Sequence, residues 1–167
     1  MRLSRLLLLL VLVIGVLAPT AGATQRRAEP VTPTALEREI VQRINAARAT
    51  KGLPAVQLVD GLVRSARAHS KAMLDADVFS HDSPNGEAFD RRIRRFHVAR
   101  QLGETIAWGS GSYGTPAGIV GMWLKSPPHR AILLDRSFTR VGVGRAFGTF
   151  QGMDEAAVWT ADFASAR

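Results

Sequence analysis

Apolar residues fall along this chain in three rhythms, and each predicts a different element. Leu36, Ile40, Ile44 and Ala47 are spaced by four, four and three, the stripe of an amphipathic helix. Thr34 and Glu37 form a capping box at its start, and Gly52 and Pro54 stop it. Leu62, Ala66, His69 and Met73 share one face of a second helix, which Asp60 is placed to cap. From Asp77 to Gly86 the rhythm breaks into Asp, Ser, Pro, Asn and Gly, so a loop is expected, with Phe79 anchoring it in the core and His81 presented to solvent. A short helix from Glu87 to Phe96 would turn Phe89, Ile93 and Phe96 inward and its arginines outward, with His97 at the surface beyond it.

Further along, Leu102, Ile106 and Trp108 around Glu104 read as an extended segment, followed by a flexible glycine-rich turn from Gly109 to Gly114. Thr115-Pro116 opens a helix that buries Ile119, Val120 and Trp123, and close packing would explain Gly121 within it. Ser126-Pro127-Pro128 ends that helix, leaving His129 on a rigid corner and Ala131 to Leu134 as a short apolar turn. The second rhythm, period two, comes last. Val141-Gly142-Val143-Gly144 leads into a strand through Phe150. Ala157, Trp159, Ala161 and Phe163 alternate with Thr160 and Asp162, giving a hairpin with a long loop near Gly152. Helices that precede most of the strands imply a sheet with helices packed against it.

The third rhythm is an unbroken run. Leu6 to Leu17 is apolar apart from Gly15, preceded by Arg2 and Arg5 and followed by Pro19 and Ala21-Gly22-Ala23. That is the pattern of a secretory signal peptide over 1–23, and the run is shorter than the roughly 20 residues of a spanning helix. Residues 24–33 form a polar leader and 34–164 a single domain. Export permits disulfides, but the chain has no cysteine, so stability must come from packing, and any metal must be held by nitrogen and oxygen. The formal charge is +8, with Arg91, Arg92, Arg94 and Arg95 clustered. Such a cluster suits an anionic envelope polymer, a membrane surface or simply a solvated helix face. Nucleic acid is not expected, because no reading helix is present and the chain carries the pattern of an exported protein.

The order and spacing of several short motifs resemble one known family. These are Asn45 and Arg48 with Gly52-Leu53, the Ala66-His69-Met73 pattern, Phe79-Ser80-His81, Gly103-Glu104-Thr105-Ile106-Ala107, Trp123 with Ser126-Pro127-Pro128-His129-Arg130, Phe138, Val141-Gly142-Val143-Gly144 and the Trp159 strand. Together they resemble the CAP domain, also called the SCP-like or cysteine-rich secretory and pathogenesis-related domain, in its short bacterial form. The resemblance implies an α+β fold, a three-layer α-β-α sandwich with an exposed cleft. It implies that His81, Glu104 and His129 line that cleft, with Glu87 as the nearest candidate for a second acid, ahead of Asp82 and Asp90. Thr105 stands where the family usually has asparagine.

Two chemistries follow from that set. His81 and His129, with Glu104, can hold zinc or another divalent cation and leave a position open for water. Equally, Glu104 can accept hydrogen bonds from the histidines in a metal-free network. Ser80, Ser83 and Ser126 are candidate nucleophiles, though no glycine-serine elbow accompanies them, and Glu87 with Glu104 is a candidate carboxylate pair. The reading favoured over a metal-dependent hydrolase of peptide or cell-wall material is a secreted domain whose cleft binds a lipid, peptide or glycan.

Overall fold

A computed structural model describes residues 29–166; the expected signal peptide and residues 24–28 of the polar leader lie outside the described residues. The elements are α1 (Ala35–Ala49), β1 (Gln57–Leu58), α2 (Asp60–Ala76), α3 (Phe89–Arg94), β2 (Leu102–Gly109), α4 (Pro116–Lys125), α5 (Pro127–Leu133), β3 (Phe138–Phe150) and β4 (Met153–Ser165). The strands form one sheet in the order β1-β3-β4-β2, antiparallel except for the β1–β3 pair.

Alternation along the long strands decides which helix lies on which face. Ala157, Trp159, Ala161 and Phe163 of β4 pack with Ile40 and Ile44 of α1 and with Ile119, Val120 and Trp123 of α4. Their neighbours Val158 and Ala164 point to the other side, where Met73 and Leu62 of α2 and Ile93 of α3 cover them. The result is an α-β-α sandwich with both faces of the sheet buried. On the α2 side, any Cβ at Gly142 or Gly144 would collide with the backbone of α2 at Leu62–Val63 and Ala66–Arg67. The two glycines therefore let α2 lie directly on β3, and this close approach brings His69 down towards the sheet.

Local signals account for several boundaries. Thr34 and Glu37 make the reciprocal capping box at α1. Thr115 caps α4, with Pro116 at its first position. Asn45 exchanges two hydrogen bonds with the backbone of Val56, which ties α1 to the segment entering β1.

Other expectations are corrected. Asp60 does not cap α2; its carboxylate accepts from the Val31 N–H, and Val59 precedes the helix without a side-chain bond. The long loop near Gly152 is a tight turn of Gln151 and Gly152, both at positive φ, and β4 begins already at Met153. Gly111–Gly114 forms a short 3-10 turn. Pro127 and Pro128 stop α4 but also start α5, since proline suits a first helical turn, so His129 lies within a helix. Helix α3 is shorter than expected, and Phe96 just beyond it is 38% exposed. Phe79 is 43% exposed and meets Phe150 edge-on from the rim of the core. A Cβ on Gly121 would meet nothing within 4 Å, so close packing does not explain that glycine.

Candidate functional site

Edge strand β2 is the base of the site. In register, Glu104 stands opposite Asp162 of β4, so both carboxyl groups leave the sheet on the α2 side. Glu104 is only 2% exposed, and a carboxylate so placed needs partners. Three elements supply them. His81, from the loop after α2, has Nδ1 2.8 Å from Glu104 Oε1. Arg92 of α3 donates to Glu104 Oε2 through Nη2. His69 of α2 has Nε2 3.9 Å from Oε2 and donates from that nitrogen to the Ser80 carbonyl at 2.9 Å.

Arg92 also fixes the loop that carries His81. Its Nη1 donates to the His81 carbonyl at 2.9 Å and to Ser83 Oγ at 3.3 Å. One guanidinium thus holds the acid and the backbone of the histidine that bonds to it, a use of the planar fork that lysine cannot copy. With Nδ1 committed to Glu104, the His81 ring, 48% exposed, keeps Nε2 for solvent or a ligand. Phe89 packs edge-on against the same ring.

Burial shapes the protonation of this cluster. It draws His69 down to about 4, against the pull of Glu104, so the ring is neutral at ordinary pH. His69 Nδ1 is buried without a hydrogen bond. Asp162 is fully buried, and burial, reinforced by the adjacent Glu104 charge, raises its carboxyl well above the usual carboxylate range; Ser65 and Arg92 oppose the rise. Neither Asp162 oxygen has a hydrogen bond of regular geometry.

His129 enters from α5, with Nδ1 2.8 Å from Ser126 Oγ. Burial lowers its pKa, and so does the nearby His81, which places the two rings within reach of each other's charge. Glu87 turns away to pair with Arg95 at 2.8 Å. Asp90 lies 3.8 Å from Arg94 Nε. Ser80 Oγ accepts from the Asp82 N–H, and Ser83 is taken by Arg92.

Two depressions follow one another along β2. The larger, about 730 Å³, has His81 and Glu104 at one side and apolar walls from Phe89, Leu102, Ile132 and Phe138. The smaller, about 270 Å³, has His129 and Ser126 beside Phe79, Ile106, Trp108 and Met122. β2, α5 and the loop between α2 and α3 contribute to both.

A three-donor metal centre does not fit this arrangement. Among the described residues no group of three His, Asp or Glu is placed to hold a metal ion. The two oxygens of Glu104 already face an imidazole N–H and a guanidinium, whose positive charge stands where a cation's would.

Three participants escape the sequence pattern. The pattern turns Arg92 outward with its neighbours, yet it is buried. The available signal is its place three after Phe89 and one before Ile93, on the inner stripe of α3. His69 is expected as a core-edge histidine bonded within its helix; its partner is a loop carbonyl eleven residues on. Asp162 is placed by alternation only on the opposite face from Phe163. Ala156, Val158 and Ala164 share that second face with it, and these apolar neighbours mark the face as interior.

Comparison with known proteins agrees with this architecture. The sequence profile of the cysteine-rich secretory protein family, CAP, matches residues 41–163. YkwD of Bacillus subtilis is 35% identical over 136 residues, 80% of this chain and 49% of that protein. The membrane protein YlbC of the same organism is 33% identical over 112 residues, 66% of this chain and 32% of its own length. The chain thus spans half or less of each of these relatives. Among solved structures, an extracellular SCP-domain protein from Bacillus anthracis superposes with a TM-score of 0.64 at 29% identity, covering 83% of this chain and 45% of that one. An outer surface protein from Borrelia burgdorferi gives 0.69 at 16% identity, covering 83% and 98%, a likeness of fold.

Proposed function

Because the chain belongs to the cysteine-rich secretory protein (CAP) family, we propose that residues 34–164 are an exported CAP domain whose cleft along β2 binds an extracellular lipid, peptide or glycan. The observation that carries this reading is the setting of His81. Its ring is fixed from below by a buried carboxylate that is itself fixed by Arg92, while the other ring nitrogen is left for a ligand at the edge of a largely apolar depression. A concave apolar site with a few well-held polar groups is the usual form of a binding pocket. The two successive depressions suit an extended ligand, with apolar parts in each and a polar group between the histidines. The test is equilibrium binding of fluorescent acyl-lipid, peptide and cell-wall glycan probes. Saturable binding of one class is expected, weakened about tenfold or more by His81→Ala and unchanged by chelator. A folded wild-type protein that binds none of the three would refute the reading.

The same geometry favours a second reading, hydrolysis. An imidazole held at Nδ1 by a carboxylate presents Nε2 as a base that can take a proton from water. Here His81 would be the base, Glu104 would hold its orientation, and no metal-bound step is needed. Turnover of peptide or cell-wall substrates that persists in chelator and is lost in His81→Ala would select this reading over simple binding.

A further inference from the structure

The corner between α3 and β2 carries an unusual mixture of side chains. Between Phe89 and Gln101 there are five arginines and one aspartate. Arg92 is consumed inside, but Arg91, Arg94, Arg95 and Arg100 are exposed. Two of these have acidic neighbours: Arg95 pairs with Glu87, and Arg94 Nε is 3.8 Å from Asp90. No acid lies within ion-pair distance of Arg91 or Arg100 among the described residues. Among these cations Phe96 is 38% and Val98 61% exposed.

Their exposure is imposed by a well-anchored backbone. The Phe96 and His97 N–H groups both donate to the Ile93 carbonyl, and Arg94 Nη1 donates to the Ala99 carbonyl. The Phe96 carbonyl lies so close to α2 that a Cβ at Gly61 would strike it. Ile93 and Ala99 on either side are buried, so Phe96 and Val98 are held out by the turn they stand in.

Guanidinium groups around two projecting apolar side chains match a surface that has phosphates outside and hydrocarbon just beneath. A soluble polyanion offers the phosphates without the hydrocarbon, and leaves Phe96 and Val98 unexplained. We propose that this corner docks the domain on the surface of an anionic phospholipid bilayer, with the arginines at the headgroup phosphates and Phe96 and Val98 in the interfacial layer. Arg94 and Arg100 also line the larger depression, so docking would turn the mouth of that depression to the lipid. The proposal does not depend on what the cleft binds.

The test is co-sedimentation of the exported chain with vesicles of phosphatidylcholine alone or with added phosphatidylglycerol. Partition should favour the anionic vesicles and fall with salt. The variant R91Q/R100Q should lower anionic-vesicle partition roughly 30-fold, and R91K/R100K should retain it. F96S/V98S should lower it about tenfold while keeping the salt dependence. Circular dichroism of each variant checks the fold. Equal partition onto both vesicle types overturns the proposal, as does an anionic preference untouched by R91Q/R100Q. Loss of neither vesicle nor soluble polyphosphate binding in F96S/V98S also overturns it and assigns the patch to a soluble polyanion.

Discussion

Arg48 and Arg92 are both buried, and they do opposite things with the same side chain. Arg48 donates only to backbone carbonyls: Pro54 at 2.9 Å, Leu133 at 2.8 Å, Asp135 at 3.0 Å and Phe138 at 2.9 Å. It joins the loop after α1 to the end of α5 and the start of β3, as a pin through the fold. Arg92 donates to a carboxylate, a hydroxyl and one carbonyl, all belonging to the candidate site. A guanidinium among carbonyls fixes shape, whereas a guanidinium on a buried acid also sets the electrostatics of what stands above it. Removing the pin should cost stability; removing the clamp should change the site.

The largest effect is expected at the pin. Arg48→Met leaves four carbonyls without their donor and should cost about 3–5 kcal/mol, read as a lower urea midpoint. Arg48→Lys keeps the charge but loses the fork, and should recover less than half of that. In the fraction that remains folded, the NMR signals of the His81 ring should be unmoved. A cost below about 1 kcal/mol would show that these carbonyls find water easily and that Arg48 is no pin.

Next comes the clamp. Arg92→Met strands the Glu104 carboxylate beside Asp162 and should cost about 2–4 kcal/mol. Unlike the change at Arg48, it should shift the His81 Nδ1–H resonance and weaken ligand binding even where the protein is fully folded. Arg92→Lys should preserve much of the stability but loosen the loop, because one ammonium cannot reach Glu104, the His81 carbonyl and Ser83 together. If Arg92→Met lowers stability and leaves the His81 ring signals and ligand binding in place, the distinction between pin and clamp fails.

The same contrast shows what was legible in the sequence. The sandwich was readable because its signals are local or periodic. Thr34 and Glu37 lie three apart, Pro116 begins its helix, and the β4 alternation picks out the face that meets α1 and α4. The resemblance of short motifs pointed to His81, Glu104 and His129, of which His81 and Glu104 are joined by a hydrogen bond and His129 bonds to Ser126. Arg92 and Asp162 were not legible, because their meaning lies in pairing: Arg92 meets an acid twelve residues away, and Asp162 faces Glu104 across the sheet. Composition sends an arginine outward by default, and only the acid beneath it reverses that. Phe96 was misread for the complementary reason, since apolarity alone sent it inward and the backbone turns it out, whereas Phe79 reaches the rim of the core at Phe150 while staying partly exposed.

Titration sharpens the comparison further. Around the pin every acceptor is a carbonyl, while around the clamp burial shifts two groups, His69 and Asp162, towards their neutral forms. Burial lowers His69 to about 4 from the usual 6.5, so between those values the unfolded chain binds a proton that the folded chain does not. Stability should therefore fall as pH drops from about 6.5 towards about 4, by about 2–3 kcal/mol, and His69→Gln should remove that slope. Asp162 is raised, so above the usual carboxylate range the folded chain keeps a proton that the unfolded chain loses. Stability on its account falls as pH rises through its folded value, and Asp162→Asn should flatten that loss. Urea midpoints across pH measure both slopes, and identical profiles in wild type and the two variants would show that neither group is held neutral.

The smallest expected effect is a control on all the others. Gly121 sits inside α4, next to Met122 and Trp123, which line the smaller depression. Nothing within 4 Å would meet an added Cβ. Gly121→Ala should therefore stabilise the protein by about 0.5–1 kcal/mol through helix propensity and a less flexible unfolded chain. It should leave the His81 ring signals and ligand affinity unchanged, as a substitution that acts on the scaffold alone must. A gain in the urea midpoint with a loss of binding would mean that the α4 wall has to yield when the cleft fills. Stability and site would then be coupled through α4 as well as through Arg92, and the division between a structural arginine and a site arginine would have to include α4.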